Sequence, residues 1–87
     1  MRLLNLRCAV TGGASGIGAA TVRRFAAEGA EDCILDRDSP AAEALAKGLG
    51  EGHLAMELDV RFEGGVERVA DAVFGLWDRV DVLVNNA

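Results

Sequence analysis

Residues 11–18, TGGASGIG, constrain this chain more than any other stretch. A short apolar run from Arg7 precedes them, and after them Gly18, Val22, Phe25 and Gly29 recur at i, i+4, i+7 and i+11, one face of a helix. The spacing predicts a strand, a glycine turn and a helix in immediate succession. At such a junction the first helical N–H groups lack intrahelical acceptors and the helix dipole adds partial positive charge, so a pyrophosphate fits there. Gly12 is expected to make the tight turn, Gly16 to let backbone approach a phosphate, and Gly18 to let the helix pack against the strand. Ser15 reads as a loop donor.

Three similar motifs fail on named residues. A Walker A loop requires Lys and Ser/Thr where this chain has Ala19 and Ala20. A nucleophile elbow needs glycine where Ile17 stands, and His53 is the single histidine. The strict G-x-G-x-x-G pattern places Thr21 where its third small residue belongs.

Further along, periodicity alternates between strand and helix. Residues 33–36 read as a second strand. Ser39 fits a helix N-cap with Pro40 first inside the helix, followed by an apolar stripe of Ala42, Leu45, Ala46 and Leu49 that Gly48 and Gly50 close. Leu54, Met56 and Leu58 suit a third strand running into Asp59. Val66, Val69, Ala70, Val73 and Trp77 mark a third helix, and residues 81–85 a fourth strand. Four strands separated by three helices imply a doubly wound, parallel α/β sheet, and the order 3-2-1-4 puts two helices on one face and the third on the other. Its ligand crevice then opens between strands one and four, where Thr11 and Asn85 with Asn86 converge.

Charge and composition narrow the function classes. With 9 basic and 14 acidic side chains the net charge is −5, and no basic stripe suits a nucleic-acid partner. No apolar run approaches the roughly 20 residues of a bilayer span, so no membrane partner is expected and the location is read as cytoplasmic. Cys8 and Cys33 sit inside apolar segments without metal-ligand spacing and are expected to be buried thiols; no metal site is expected around His53, read as a solvated loop or strand-edge residue. An 87-residue chain with 51% apolar residues builds a thin core, and is expected to be marginal in isolation.

Asp36 lies 20 residues after Gly16 at the end of the second strand, where a carboxylate accepts both hydroxyls of an adenosine ribose and repels a 2′-phosphate. That favours NAD over NADP, with adjacent Arg37 a partial offset. Asp59, at the end of strand three, offers a carboxylate to an adenine amino group.

Together TGGASGIG, Asp36 with Arg37, Asp59 with Val60, and Asn85, Asn86 and Ala87 resemble the short-chain dehydrogenase/reductase family, whose cofactor turn is T-G-x-x-x-G-x-G. The resemblance runs along the whole chain. It implies a Rossmann-type sheet, with residues 1–87 as the amino-terminal part of one NAD-binding domain. It also implies cofactor contact by Gly12, Ser15, Gly16, Ile17 and Gly18, ribose recognition by Asp36, adenine contact by Asp59 and Val60, and sheet-end or ribose contact by Asn86 and Ala87. The implied activity is hydride transfer between a nicotinamide dinucleotide and a small alcohol or ketone, with an oligomer possible for the full-length parent. The family's catalytic Ser, Tyr and Lys cannot be assigned, since the chain contains no tyrosine. Other readings stand beside it: a non-catalytic NAD-binding module, a truncated inactive product, or an S-adenosylmethionine-dependent transferase, against which Asn85 and Asn86 argue.

Arg7 and Asp32 depart from the family's aliphatic strand openings. Adjacent strands would pair them as ions near the amino-terminal edge of the sheet, the alternative being that both face solvent as the strands fray. The same register makes Cys8 and Cys33 neighbours. The third helix opens with Arg61, Phe62, Glu63, Gly64 and Gly65 instead of a capping residue, so its start is expected to be late or frayed.

Overall fold

The computed structural model describes residues 2–58 and 65–86. Along the chain run β1 (Arg7–Thr11), α1 (Gly16–Ala27), β2 (Glu31–Asp36), α2 (Ser39–Leu49), β3 (Leu54–Glu57), α3 (Gly65–Leu76) and β4 (Val82–Asn85). The four strands form one parallel sheet in the order β3-β2-β1-β4. The expected topology is the observed one. The opening of the third helix, residues 61–64, and the side chains of Val66 and Val69 lie outside what is described.

Side chains alternate along each strand, so the sheet buries two apolar faces. Val10 and Ile34 pack with Val22 of α1 and with Ala42 and Ala46 of α2. Ala9, Cys33 and Leu35 pack on the opposite face with Val73 and Trp77. At the edge of the described sheet, Leu83 of β4 is 67% exposed.

Helix α1 ends where Gly29 leads the chain into the left-handed region, at φ 93°. The Gly29 N–H donates to the Ala26 carbonyl and the Ala30 N–H to the Phe25 carbonyl, each at 3.0 Å, the paired bonds of a Schellman closure. Helix α2 corrects the expected cap by one residue. Asp38, not Ser39, is the N-cap; its carboxylate accepts the Ala41 N–H at 3.1 Å, and Ser39 and Pro40 are both already helical. Aspartate wins because it reaches the third helical amide while Ser39 faces Glu43. Gly48 lies within α2, which closes at Gly50.

Strand β2 begins two residues before the expected start. The ladder with β1 recruits Glu31 and Asp32 despite their polarity, and its register pairs Arg7 with Glu31, Cys8 with Asp32 and Ala9 with Cys33. This register overturns two expectations. Because the side-chain period is two, a one-residue offset sends partners to opposite faces. Arg7 and Asp32 therefore form no ion pair, and Cys8 and Cys33 project from opposite sides of the sheet. Both thiols are free and buried, as expected.

Arg7 finds other partners. Its Nη1 lies 2.7 Å from Asp78 Oδ1, its Nε 3.7 Å from Glu31 Oε1, and its guanidinium 5.5 Å from the centre of the Trp77 ring. The Arg7 N–H donates to Asp81 Oδ2 and the Asp81 N–H returns to the Arg7 carbonyl, each at 2.8 Å. These bonds hold the Asp78 and Asp81 carboxyls below the usual carboxylate range, with Arg7 the leading cause in both. Thus the start of β1 is tied to the connection between α3 and β4.

Candidate functional site

At the carboxyl end of the sheet the glycine turn rises between β1 and α1. Gly12 has φ 64° and its N–H donates to the Leu35 carbonyl at 2.7 Å, which folds the turn back over β2. Ser15 holds the N-cap in extended conformation with no bond from its side chain to the helix, and the Ala19 N–H closes the first helical bond on the Ser15 carbonyl at 3.2 Å. The first-turn amides thus keep no intrahelical acceptor. At Gly16, φ is 56° and a built Cβ would meet nothing within 4 Å. Open space lies over this glycine, at the positive end of a 12-residue helix.

Gly18 has the opposite environment. A Cβ there would overlap the Gly12 carbonyl and come within 2.9 Å of Asn86 Nδ2. The helix consequently rests directly on the turn that follows β1 and beside the end of β4. Ile17 is 77% exposed next to the open space.

Two side chains fasten this arrangement. Thr11, buried at the end of β1, donates from Oγ1 to the Val84 carbonyl at 3.3 Å and accepts the Asn86 N–H at 2.9 Å. Asp36, half-buried at the end of β2, accepts the Ala14 N–H on Oδ2 at 3.1 Å and the Asp38 N–H on Oδ1 at 2.9 Å. One carboxylate therefore joins the turn to the start of α2. Arg37, next in the chain, is exposed.

The structure brings together Gly12, Ser15, Gly16, Ile17, Gly18 and Asp36, with Asn86 beside Gly18 at the β4 end. Asp59, Val60 and Ala87 lie outside the described residues. Reading the sequence missed Gly13, where an added Cβ would sit 3.0 Å from Ile34 Cγ2 and 3.1 Å from the Val10 carbonyl. It also missed the Ala14 amide, since a backbone donor leaves no mark in residue type. The bridging role of Thr11 had one signal, a hydroxyl residue ending an apolar strand. Among the described residues no group of three or more His, Cys, Asp and Glu is placed to hold a metal ion, and no helix is long and apolar enough to cross a membrane.

Comparison with known proteins adds the wider context. A family model described as short chain dehydrogenase matches residues 7–87. D-threitol dehydrogenase of Mycolicibacterium smegmatis is 43% identical over 81 residues, covering 90% of this chain and 31% of that protein. Sorbitol dehydrogenase of Cereibacter sphaeroides is 37% identical over 87 residues, covering 100% of this chain and 34% of that protein. A crystal structure of 3-ketoacyl-(acyl-carrier-protein) reductase from Brucella melitensis, complexed with NADH, superposes with a TM-score of 0.92 at 38% identity and covers 98% of this chain and 35% of that one. The chain spans about a third of the length of these relatives.

Proposed function

Since the chain belongs to the short-chain dehydrogenase family, we propose that it forms the adenosine half of a dinucleotide site in an NAD-dependent oxidoreductase acting on a small alcohol or ketone. The observation that carries this reading is the open, left-handed Gly16 at the start of α1 with the Asp36 carboxylate one strand away. When bound, the dinucleotide supplies a hydride donor or acceptor at its nicotinamide ring.

The chain's own residues bind and orient. Backbone amides of the first α1 turn, with Gly16 leaving them uncovered, suit the diphosphate. Ser15 is an exposed hydroxyl beside them, and Ile17 an exposed apolar cover. Each Asp36 oxygen accepts one backbone N–H and retains acceptor capacity for a ribose hydroxyl. The same charge opposes a 2′-phosphate, which Arg37 offsets in part. Asp59 and Val60 are assigned to the adenine side, and Asn86 with Ala87 to the end of the sheet. The reductase from Brucella melitensis was solved with NADH, consistent with this choice.

Titration of the intact protein with NADH and NADPH tests the assignment. Asp36→Ala is expected to weaken NADH binding about 10- to 100-fold, equivalent to about 1.4 to 2.8 kcal/mol, while NADPH binding changes less. Equal NADH affinity in the variant, or tighter NADPH than NADH binding in the unaltered protein, would overturn it.

A further inference from the structure

At the opposite end of the sheet, the start of β2 carries an acid that the dinucleotide site does not use. Asp32 is 0% exposed, and neither of its carboxylate oxygens has a hydrogen-bond partner. Its own N–H donates to His53 Nδ1 at 3.1 Å, and its Oδ2 stands 3.5 Å from that same nitrogen. The His53 side chain is 8% exposed, which corrects the expectation of a solvated histidine. A buried carboxylate facing a nitrogen lone pair, with no donor on either oxygen, is a costly arrangement unless the acid is protonated.

Among the described residues, the surroundings supply no compensating charge. Cys8 of β1 is the register partner of Asp32 and shares its face of the sheet. Burial, aided by Asp32 and then Asp81, pushes the Cys8 thiol up to about 11, so it stays neutral. Val22, Phe25, Leu45 and Leu49, the α1 and α2 side chains that cover this face, are apolar. Glu31, next in β2, has Oε2 in reach of Gly52 and acts on His53 from outside. Burial pushes the Asp32 carboxyl up to about 7, and burial lowers His53, with Glu31 opposing. The 3.1 Å bond requires a lone pair on Nδ1, so His53 cannot donate from that nitrogen to Asp32 Oδ2.

We propose that Asp32 is held protonated in its buried seat beside His53, and that loss of this proton to solvent opens the start of β2 and its junction with β3. The pair is a pH-sensitive latch. Protonated, the acid is neutral and is compatible with its dry, donor-free surroundings. Deprotonated, the carboxylate faces that lone pair without a donor, and relief comes when the connection carrying His53 moves and water reaches the acid.

Carbon-13 NMR of the Asp32 carboxyl in the intact protein tests the proton directly. The expected midpoint lies near pH 7, and a midpoint below about pH 5, close to the ordinary carboxylate range, would overturn the proposal. Amide hydrogen exchange at Asp32, Cys33 and Leu54, corrected for base catalysis and referenced to Val10, is expected to accelerate at least ~10-fold between about pH 6 and about pH 8.5. Asp32→Asn is expected to abolish that acceleration; retention of the full profile in this variant counts against the latch. His53→Gln keeps an acceptor for the Asp32 N–H and is expected to move the carboxyl midpoint. The carboxyl titration needs no variant, so a misfolded Asp32→Asn protein does not remove the test.

Discussion

Glycines of identical chemistry do different jobs within the turn. Gly18 is excluded from bearing a side chain by the Gly12 carbonyl and Asn86, whereas Gly16 has open space and only its positive φ to protect. Gly18→Ala is therefore expected to destabilise the protein by about 2 kcal/mol or more and to abolish NADH binding, because backbone must move. Gly16→Ala is expected to cost about 1 kcal/mol through conformation alone while still weakening NADH binding by intruding on the open space. Thermal unfolding and NADH titration of the two variants separate steric overlap from backbone strain. Asp32 carries a second prediction. Its folded-state pKa, about 7, stands above its ordinary 3.8, so its contribution to stability is present in full below pH 3.8 and is lost as pH rises through 7. The loss is on the order of 4 kcal/mol. His53 is shifted downward and acts in the other direction, losing stability as pH falls below its ordinary 6.5. Asp32→Asn is expected to be more stable than the unaltered protein at about pH 8 and to lack the decline between about pH 4 and 7 in urea titrations.

Elements begin and end where a polar atom meets an orphaned backbone group, and such details are shared unevenly between sequence and structure. The closure of α1 at Gly29 was legible because only a residue free to adopt positive φ terminates a helix in this way. The cap of α2 was misplaced because Asp38 and Ser39 are both capping types, and only the geometry shows which reaches the Ala41 N–H. Asp38→Ala is expected to lower stability by about 1 kcal/mol and Ser39→Ala by a few tenths at most, compared by chemical denaturation. The early start of β2 was hidden because Glu31 and Asp32 resemble a turn, yet the ladder to β1 carries them. The expected pair of Arg7 with Asp32 does not form, because the register and the turn before β4 bring Glu31 and Asp78 to Arg7 instead.

For the whole molecule, the sheet separates its two cysteines. Burial pushes Cys8 up to about 11 and Cys33 up to about 12, with Asp32 a lesser contributor to each. Neither thiol is expected to react with a disulfide reagent in the native state, and labelling is expected to proceed at the rate of unfolding. Rapid native labelling, or an internal disulfide under mild oxidation, would contradict the placement of the thiols on opposite faces. The amino-acid order alone determined the alternation of strands and helices, the parallel order of the sheet, and a glycine turn at a helix start, because periodicity, glycine torsion freedom and crossover handedness are local or nearly so. Which residue faces which across β1 and β2 was decided only by tertiary structure. A one-residue change of register leaves the strand pattern intact while exchanging its faces, and that exchange sent Arg7 to Asp78, parted Cys8 from Cys33, and sealed Asp32 beneath His53.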